Sequence, residues 1–137
     1  MKTLFADSGY WIALINRHDS LHEKAQSLSA SLDITSCVTS EMVLTEVLNY
    51  VSSCGAKMRQ SAVEMLDGMR KHPQITVVPQ TTDQFQNAVR LYAQRNDKDW
   101  SLTDCSSFQV MWSHQITDAL THDHNFEQAG FKALLRV

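Results

Sequence analysis

The chain has 137 residues, a formal net charge of −3 and a hydrophobic fraction of 43%. That length fits a single domain, 1–137, which can bury roughly two-thirds of its unfolded surface without disulfide staples. The slightly acidic balance argues against simple electrostatic binding of nucleic acid, although bound divalent cations can reverse the sign of an acidic site.

No apolar run approaches the roughly 20 residues of a membrane span, and neither a signal-peptide core nor a lipidation motif is visible, so a soluble, cytoplasmic protein is expected. Cys37, Cys54 and Cys105 are odd in number and widely spaced. They read as packed thiols rather than a disulfide framework or a zinc knuckle.

In chain order, Leu4 to Ala6 form a short apolar run suited to a strand buried on both faces, and Asp7-Ser8-Gly9 turns it into a helix marked by Trp11, Leu14 and Ile15. Asp7 thus projects beyond the carboxyl end of a buried strand, where ligands bind in open α/β sheets. A helix cap is an equal reading of that residue taken alone. Ser20 and Glu23 form a capping-box pair before Leu21, Ala25, Leu28 and Leu32, a second amphipathic helix. Ile34 to Val38 is the expected second strand, and Thr39 or Ser40 can cap a helix carrying Val43, Leu44, Val47, Leu48 and Val51.

Glu46 falls between Val43 and Tyr50 on the wheel of that helix and is expected to look inward or nearly so. An inward carboxylate needs a cation, a proton or a water-filled cleft, whereas one at the helix edge would snorkel to solvent. After Cys54-Gly55, the residues Met58, Ala62, Met65, Leu66 and Met69 mark a helix ending at His72-Pro73, with the Met-rich face as core. Ile75 to Val78 is a β-branched strand, and Thr81 with Gln84 can cap a helix bearing Phe85, Ala88, Val89 and Tyr92.

Arg95 to Asp99 reads as a solvated charged loop. Leu102, Cys105, Phe108, Met111 and Trp112 then mark the buried side of a helix whose first turn holds Asp104, a place the helix dipole favours for a carboxylate. Ile116 to Leu120 reads as a strand interrupted by Asp118, and Asp123 repeats the situation of Asp7 just beyond it. Gly130 separates a short helical turn from a final strand in Phe131 to Val137. The alternation implies a three-layer α/β/α sandwich around a central, mainly parallel sheet.

Four carboxylates stand out, Asp7, Glu46, Asp104 and Asp123, two at strand ends and two on helices able to flank one crevice. If they converge, they cannot all be ionised without cations, and hard oxygen ligands select Mg²⁺ or Mn²⁺ over zinc. One or two such ions suit phosphodiester hydrolysis. Other chemistries are weaker. His122 and His124 alternate on an extended segment with no Cys or third His nearby in sequence, Cys105 sits at an apolar helical spacing, and neither a nucleophile elbow nor a phosphate-binding glycine loop is present.

The segments Thr3-Leu4-Phe5-Ala6-Asp7-Ser8, Ser40 to Asn49, Ser101 to Phe108 and Ala119 to Phe131, in this order and spanning nearly the whole chain, resemble the four motif regions of the PIN-domain family. The resemblance implies a metal-dependent nuclease fold, with Asp7, Glu46, Asp104 and Asp123 at the family's acidic positions and Thr121 at the hydroxyl position of the last motif. Asp118 competes for the final acidic role, and Asp123 is preferred because it follows the strand. The single-domain size is similar to VapC-type toxins, which implies an Mg²⁺- or Mn²⁺-dependent endoribonuclease, an RNA substrate, a cognate antitoxin protein, a homodimer and no membrane. The alternatives are a non-catalytic RNA- or protein-binding module and a housekeeping RNA-processing nuclease.

Overall fold

The computed structural model describes residues 2–31 and 36–137. The central strand, β1 (Thr3–Ala6), carries Leu4, Phe5 and Ala6 fully inside, as a strand covered on both faces must. It is flanked by β2 (Ser36–Ser40) and β4 (Asp118–Leu120), and beyond these lie β3 (Ile75–Val78) and β5 (Lys132–Ala133). The order is β3-β2-β1-β4-β5, and every pairing is parallel. Phe5 aligns with Val38 on one side and with Ala119 on the other.

Seven α-helices among the described residues complete the α/β/α sandwich. They are α1 (Ser8–Ile15), α2 (His22–Ser31), α3 (Glu41–Val51), α4 (Ala56–Lys71), α5 (Thr82–Gln94), α6 (Leu102–Ser113) and α7 (His124–Gln128). The order of strands and helices expected from periodicity is therefore the observed one. The hydroxyls of Ser40, Thr81 and Ser101 accept the backbone N–H of the residue three positions on, capping α3, α5 and α6. Cys37 and Cys105 are buried free thiols and Cys54 an exposed one. No helix among the described residues is long and apolar enough to cross a membrane.

The boundaries differ in instructive places. Leu32 and Ile34 lie outside the described residues, and β2 runs on through Thr39 and Ser40 instead of ending at Val38. Thr39 can enter the core because its hydroxyl donates to the Ala6 carbonyl at 2.8 Å and accepts from the Trp11 indole at 3.3 Å. The helix α2 starts two residues after Ser20, behind a turn in which the Asp19 carboxylate accepts from the Leu21 N–H. The last strand is only two residues long. After it Leu134–Arg136 form a 3-10 turn, because Leu135 donates its N–H to the Thr121 carbonyl and draws the chain end over the β4–α7 loop.

Two helices bury less than their apolar pattern suggests. On α5, Ala88 is buried but Phe85, Val89 and Tyr92 stand 41–55% exposed, and on α6 Trp112 is 48% exposed while still stacked against Phe131. The core gathers instead on Phe5, Phe108, Phe126, Met111 and Leu120. Replacing Thr39 by Val keeps the volume but leaves the Trp11 N–H without its partner, and the expected loss is about 1–3 kcal/mol. Urea unfolding should show a lower midpoint for Thr39→Val and a near wild-type midpoint for Thr39→Ser.

Candidate active site

The sheet reverses direction of growth next to β1, since the chain builds β2 and β3 on one side and then returns to place β4 and β5 on the other. A crevice opens at such a switch point, beyond the carboxyl ends of the two strands. Here that crevice is a cleft of about 500 Å³ lined by Asp7, Glu46, Asp104, Thr121 and Asp123, together with Ser8, Asp99, Ser101, His122 and Asn125. All five residues expected from the sequence meet in it.

Asp7 follows β1 directly and occupies the N-cap position of α1, yet its side chain makes no capping hydrogen bond to that helix. Its Oδ2 instead accepts the Thr121 hydroxyl at 2.9 Å. Thr121 is almost fully buried, and its Oγ1 also accepts the backbone N–H of Asp123 at 3.1 Å. One hydroxyl thereby ties the end of β1 to the loop after β4.

Burial pushes the Asp7 carboxyl up to about 7 against the opposing pull of the Ser8 amide and the Thr121 hydroxyl, and the charges of Asp104 and Glu46 raise it further. Asp104 is shifted the same way, first by burial and then by Asp123 and Glu46, with the Asn125 amide and the Ser101 N–H opposing. The cleft thus holds acids that resist ionisation together.

Asp104 stands in the first turn of α6 and has two duties. In a reciprocal capping box Ser101 Oγ accepts from the Asp104 N–H at 3.0 Å, and Asp104 Oδ2 accepts from the Ser101 N–H at 3.1 Å. The same Oδ2 accepts Asn125 Nδ2 at 3.0 Å. Asp123 caps α7 by accepting the Asn125 N–H at 2.9 Å and remains half-buried at the cleft wall.

Glu46 departs from expectation, because it is exposed rather than inward. The residues that α3 buries are Met42, Val43, Leu44, Val47 and Val51, while Tyr50, used to place Glu46 on the wheel, is itself 51% exposed. The glutamate therefore flanks these residues and reaches the cleft from its rim, where Ser8 Oγ donates to Oε1.

Asp118 lies outside the cleft, at the start of β4, paired with Lys2 at 2.6 Å. Burial raises its carboxyl, but the Lys2 ammonium and the Thr117 hydroxyl outweigh that and hold it below the usual aspartate range. Asp123 is accordingly the aspartate of the final segment that faces the crevice.

Asn125, Ser8 and Asp99 escaped the sequence reading. Asn125 is polar and buried in the first turn of a five-residue helix, too short for periodicity to register. Only the Asp-x-Asn spacing after a strand hinted at it. Asp99, in a charged loop without apolar periodicity, carries no sequence signal that separates it from a solvated charge, yet it lines the cleft.

The donors facing the cleft are carboxylate, hydroxyl and amide oxygens with one imidazole, His122, and no thiol, a set suited to a hard divalent cation. Among the described residues, no three His, Cys, Asp or Glu side chains are already grouped to hold an ion.

A family model described as PIN domain matches residues 4–132. Over 129 residues the chain is 30% identical to the 23S rRNA-specific endonuclease VapC20 of Mycobacterium tuberculosis, covering 93% of this chain and 95% of that protein. The crystal structure of Mycobacterium tuberculosis VapC20, described as a sarcin-ricin loop cleaving toxin, matches with a TM-score of 0.83 at 29% identity over 93% of this chain and 95% of that one. FitAcB from Neisseria gonorrhoeae matches at a TM-score of 0.68 and 16% identity, over 95% of this chain and 94% of that one. VapBC2 from Rickettsia felis, bound to a DNA fragment from their promoter, matches at 0.62 and 13%, over 96% of each chain. The last two likenesses are of fold alone.

An aspartate whose carboxyl is raised in the folded state makes the protein less stable as pH climbs from its unfolded value near 4 to its folded value of about 7. Asp7→Asn removes that slope. In metal-free buffer the variant should melt at a higher temperature than the wild type, by a wider margin at pH 8 than at pH 4.5. Equal margins at the two pH values would refute the buried-carboxylate account.

Proposed function

This chain belongs to the PIN-domain family, and on that premise we propose that it is a divalent-metal-dependent endoribonuclease, acting as the toxin of a prokaryotic toxin–antitoxin pair. The observation that carries the reading is the meeting of Asp7, Glu46, Asp104 and Asp123 in one cleft at the carboxyl ends of two adjacent parallel strands. As the curated relative is an endonuclease specific for 23S rRNA, ribosomal RNA is the first substrate to try.

Mg²⁺ or Mn²⁺ would be held by carboxylates of Asp7, Asp104 and Asp123, with Glu46 on the open side, and would supply an activated hydroxide and charge neutralisation for phosphodiester hydrolysis. The protein's own groups do the rest. Thr121 keeps Asp7 Oδ2 oriented through its hydrogen bond, leaving Oδ1 toward other uses. Asn125 and the Ser101 N–H fix Asp104 Oδ2 in the same way. Ser8 holds the rim carboxylate of Glu46. The cleft is open enough to admit a phosphodiester, and the buried position of Asp7 keeps one side of that carboxylate away from water.

Cation binding would also resolve the electrostatic strain of the cleft. Opposite charge favours the ionised form of both raised aspartates, so metal uptake should release protons at neutral pH. The same reading includes a cognate antitoxin that silences the nuclease and a homodimer of single-domain 1–137 protomers.

The test is cleavage of purified ribosomes and of total RNA, followed by sequencing of the new ends. Asp7→Asn, Asp104→Asn and EDTA should each reduce the rate by about 100-fold or more, the loss of several kcal/mol of charge stabilisation, while circular dichroism stays native. Unchanged cleavage after both Asp7→Asn and EDTA would overturn the proposal. Calorimetry with Mn²⁺ in two buffers of different ionisation enthalpy should in addition reveal proton release on binding.

A further inference from the structure

A second depression of about 830 Å³ lies beside the acidic cleft, and Asp99 and Ser101 line both. Its walls differ from those of the cleft. They include Tyr92 and Val89 from the last turns of α5, the loop residues Arg95 and Lys98, and Trp100.

Tyr92 is 55% exposed and Val89 41%, although the α5 pattern marks both as apolar, and Ala88 carries the helix's fully buried contact. Trp100 is buried beneath the depression, with its indole N–H donating to Gln128 Oε1 at 3.0 Å and the Arg95 guanidinium 4.9 Å over its ring. Asp97 grips one edge of that guanidinium, accepting Nε at 3.0 Å and Nη2 at 3.2 Å. The Nη1 donors stay available to a further acceptor.

Resting on the nuclease reading above, we propose that this depression is a single-stranded RNA subsite, in which a nucleobase next to the scissile phosphate stacks on Tyr92 and its phosphate meets Arg95 and Lys98. Three features point to this occupant. The depression borders the acidic cleft at Asp99 and Ser101, so a chain cut in the cleft can extend into it. A chain of net charge −3 offers phosphates no general attraction, and two cations beside five clustered carboxylates are the local remedy. An exposed aromatic ring beside cations is how sequence-tolerant sites hold unpaired bases, since every base presents a π-face. A duplex would have its bases occupied and could not use the ring.

The test uses full-length protein silenced by Asp7→Asn and a fluorescein-labelled pool of randomised single-stranded RNA 12-mers, with an RNA duplex of equal length beside it. Tyr92→Leu in that background keeps bulk but removes the ring, and should raise the Kd for the single-stranded pool about 5- to 100-fold. Tyr92→Trp should retain wild-type affinity, duplex binding should not respond to either change, and Lys98→Gln should flatten the salt dependence. In the catalytically intact protein Tyr92→Leu should raise KM more than it lowers kcat.

Equal binding by Tyr92→Leu and its parent overturns the subsite, and so does absence of binding by the parent. A change of oligomeric state in Tyr92→Leu on sedimentation, with RNA affinity unaltered, assigns the face to a second protein copy and equally overturns it. Failure of the subsite alone leaves Asp7-dependent cleavage intact, whereas failure of the nuclease reading abolishes that dependence.

Discussion

Thr121 Oγ1 donates to Asp7 Oδ2 across the junction of β1 and β4 and accepts from the N–H of Asp123 on the loop beyond. The cleft depends on this pair of hydrogen bonds because parallel strands offer no local turn to set their exits relative to each other. Backbone pairing stops at Ala6 and Leu120, with one further bond from the Asp7 N–H to the Leu120 carbonyl at 3.2 Å. Past that point only side chains and the chain end hold the loops in register. Leu135 donates to the Thr121 carbonyl, and Arg136 donates to the His122 carbonyl at 3.1 Å while pairing with Glu127 at 2.9 Å. The short last strand and its 3-10 turn are thus a brace for the loop that carries Thr121, Asp123 and Asn125.

A second constraint is electrostatic. Asp7 and Asp104 are both buried and both raised, so the site in its metal-free form favours partial protonation. One oxygen of each, Oδ2, is committed to Thr121 or to Asn125 and Ser101, which fixes orientation without removing the cost of burying charge. Such an arrangement lowers stability to keep carboxylates together in one cleft, a cost commonly found at functional sites. Glu46, exposed on the rim and held by Ser8, is the acid with least burial to overcome. It is therefore the member of the set freest to follow a ligand in and out.

Much of this was legible in the sequence because burial on two faces leaves a strong mark. The run Leu4-Phe5-Ala6 suits a strand covered on both faces with Asp7 just beyond its carboxyl end, and the alternation of elements implied a parallel sheet, although not the order of its strands. Asp104 and Asp123 were legible through their neighbours, a capping serine and a preceding strand. Asn125 was not, since a buried amide in a five-residue helix has no period to betray it. Nor was the length of β2, where a threonine enters the core only because Ala6 and Trp11 supply partners from far along the chain.

The deeper failure of periodicity concerns α5 and α3, and it has one cause. An amphipathic pattern reports that a helix has an apolar stripe but not how wide a stripe the neighbouring layer covers. On α3 the covered residues are Met42, Val43, Leu44, Val47 and Val51, which leaves Tyr50 outside and carries Glu46 to the rim instead of the interior. On α5 the packing against α6 covers Ala88 and partly Leu91, and leaves Phe85, Val89 and Tyr92 beyond it. These residues satisfy the helical period as core residues would, yet the described residues leave about half of each side chain uncovered. Where an apolar residue matches the period and still faces outward beside a functional cleft, the site's own ligand is the natural partner for the surface left over. Tyr92 meets that condition in the depression beside the acidic cleft, while Phe85, farther along the same helix, lines neither.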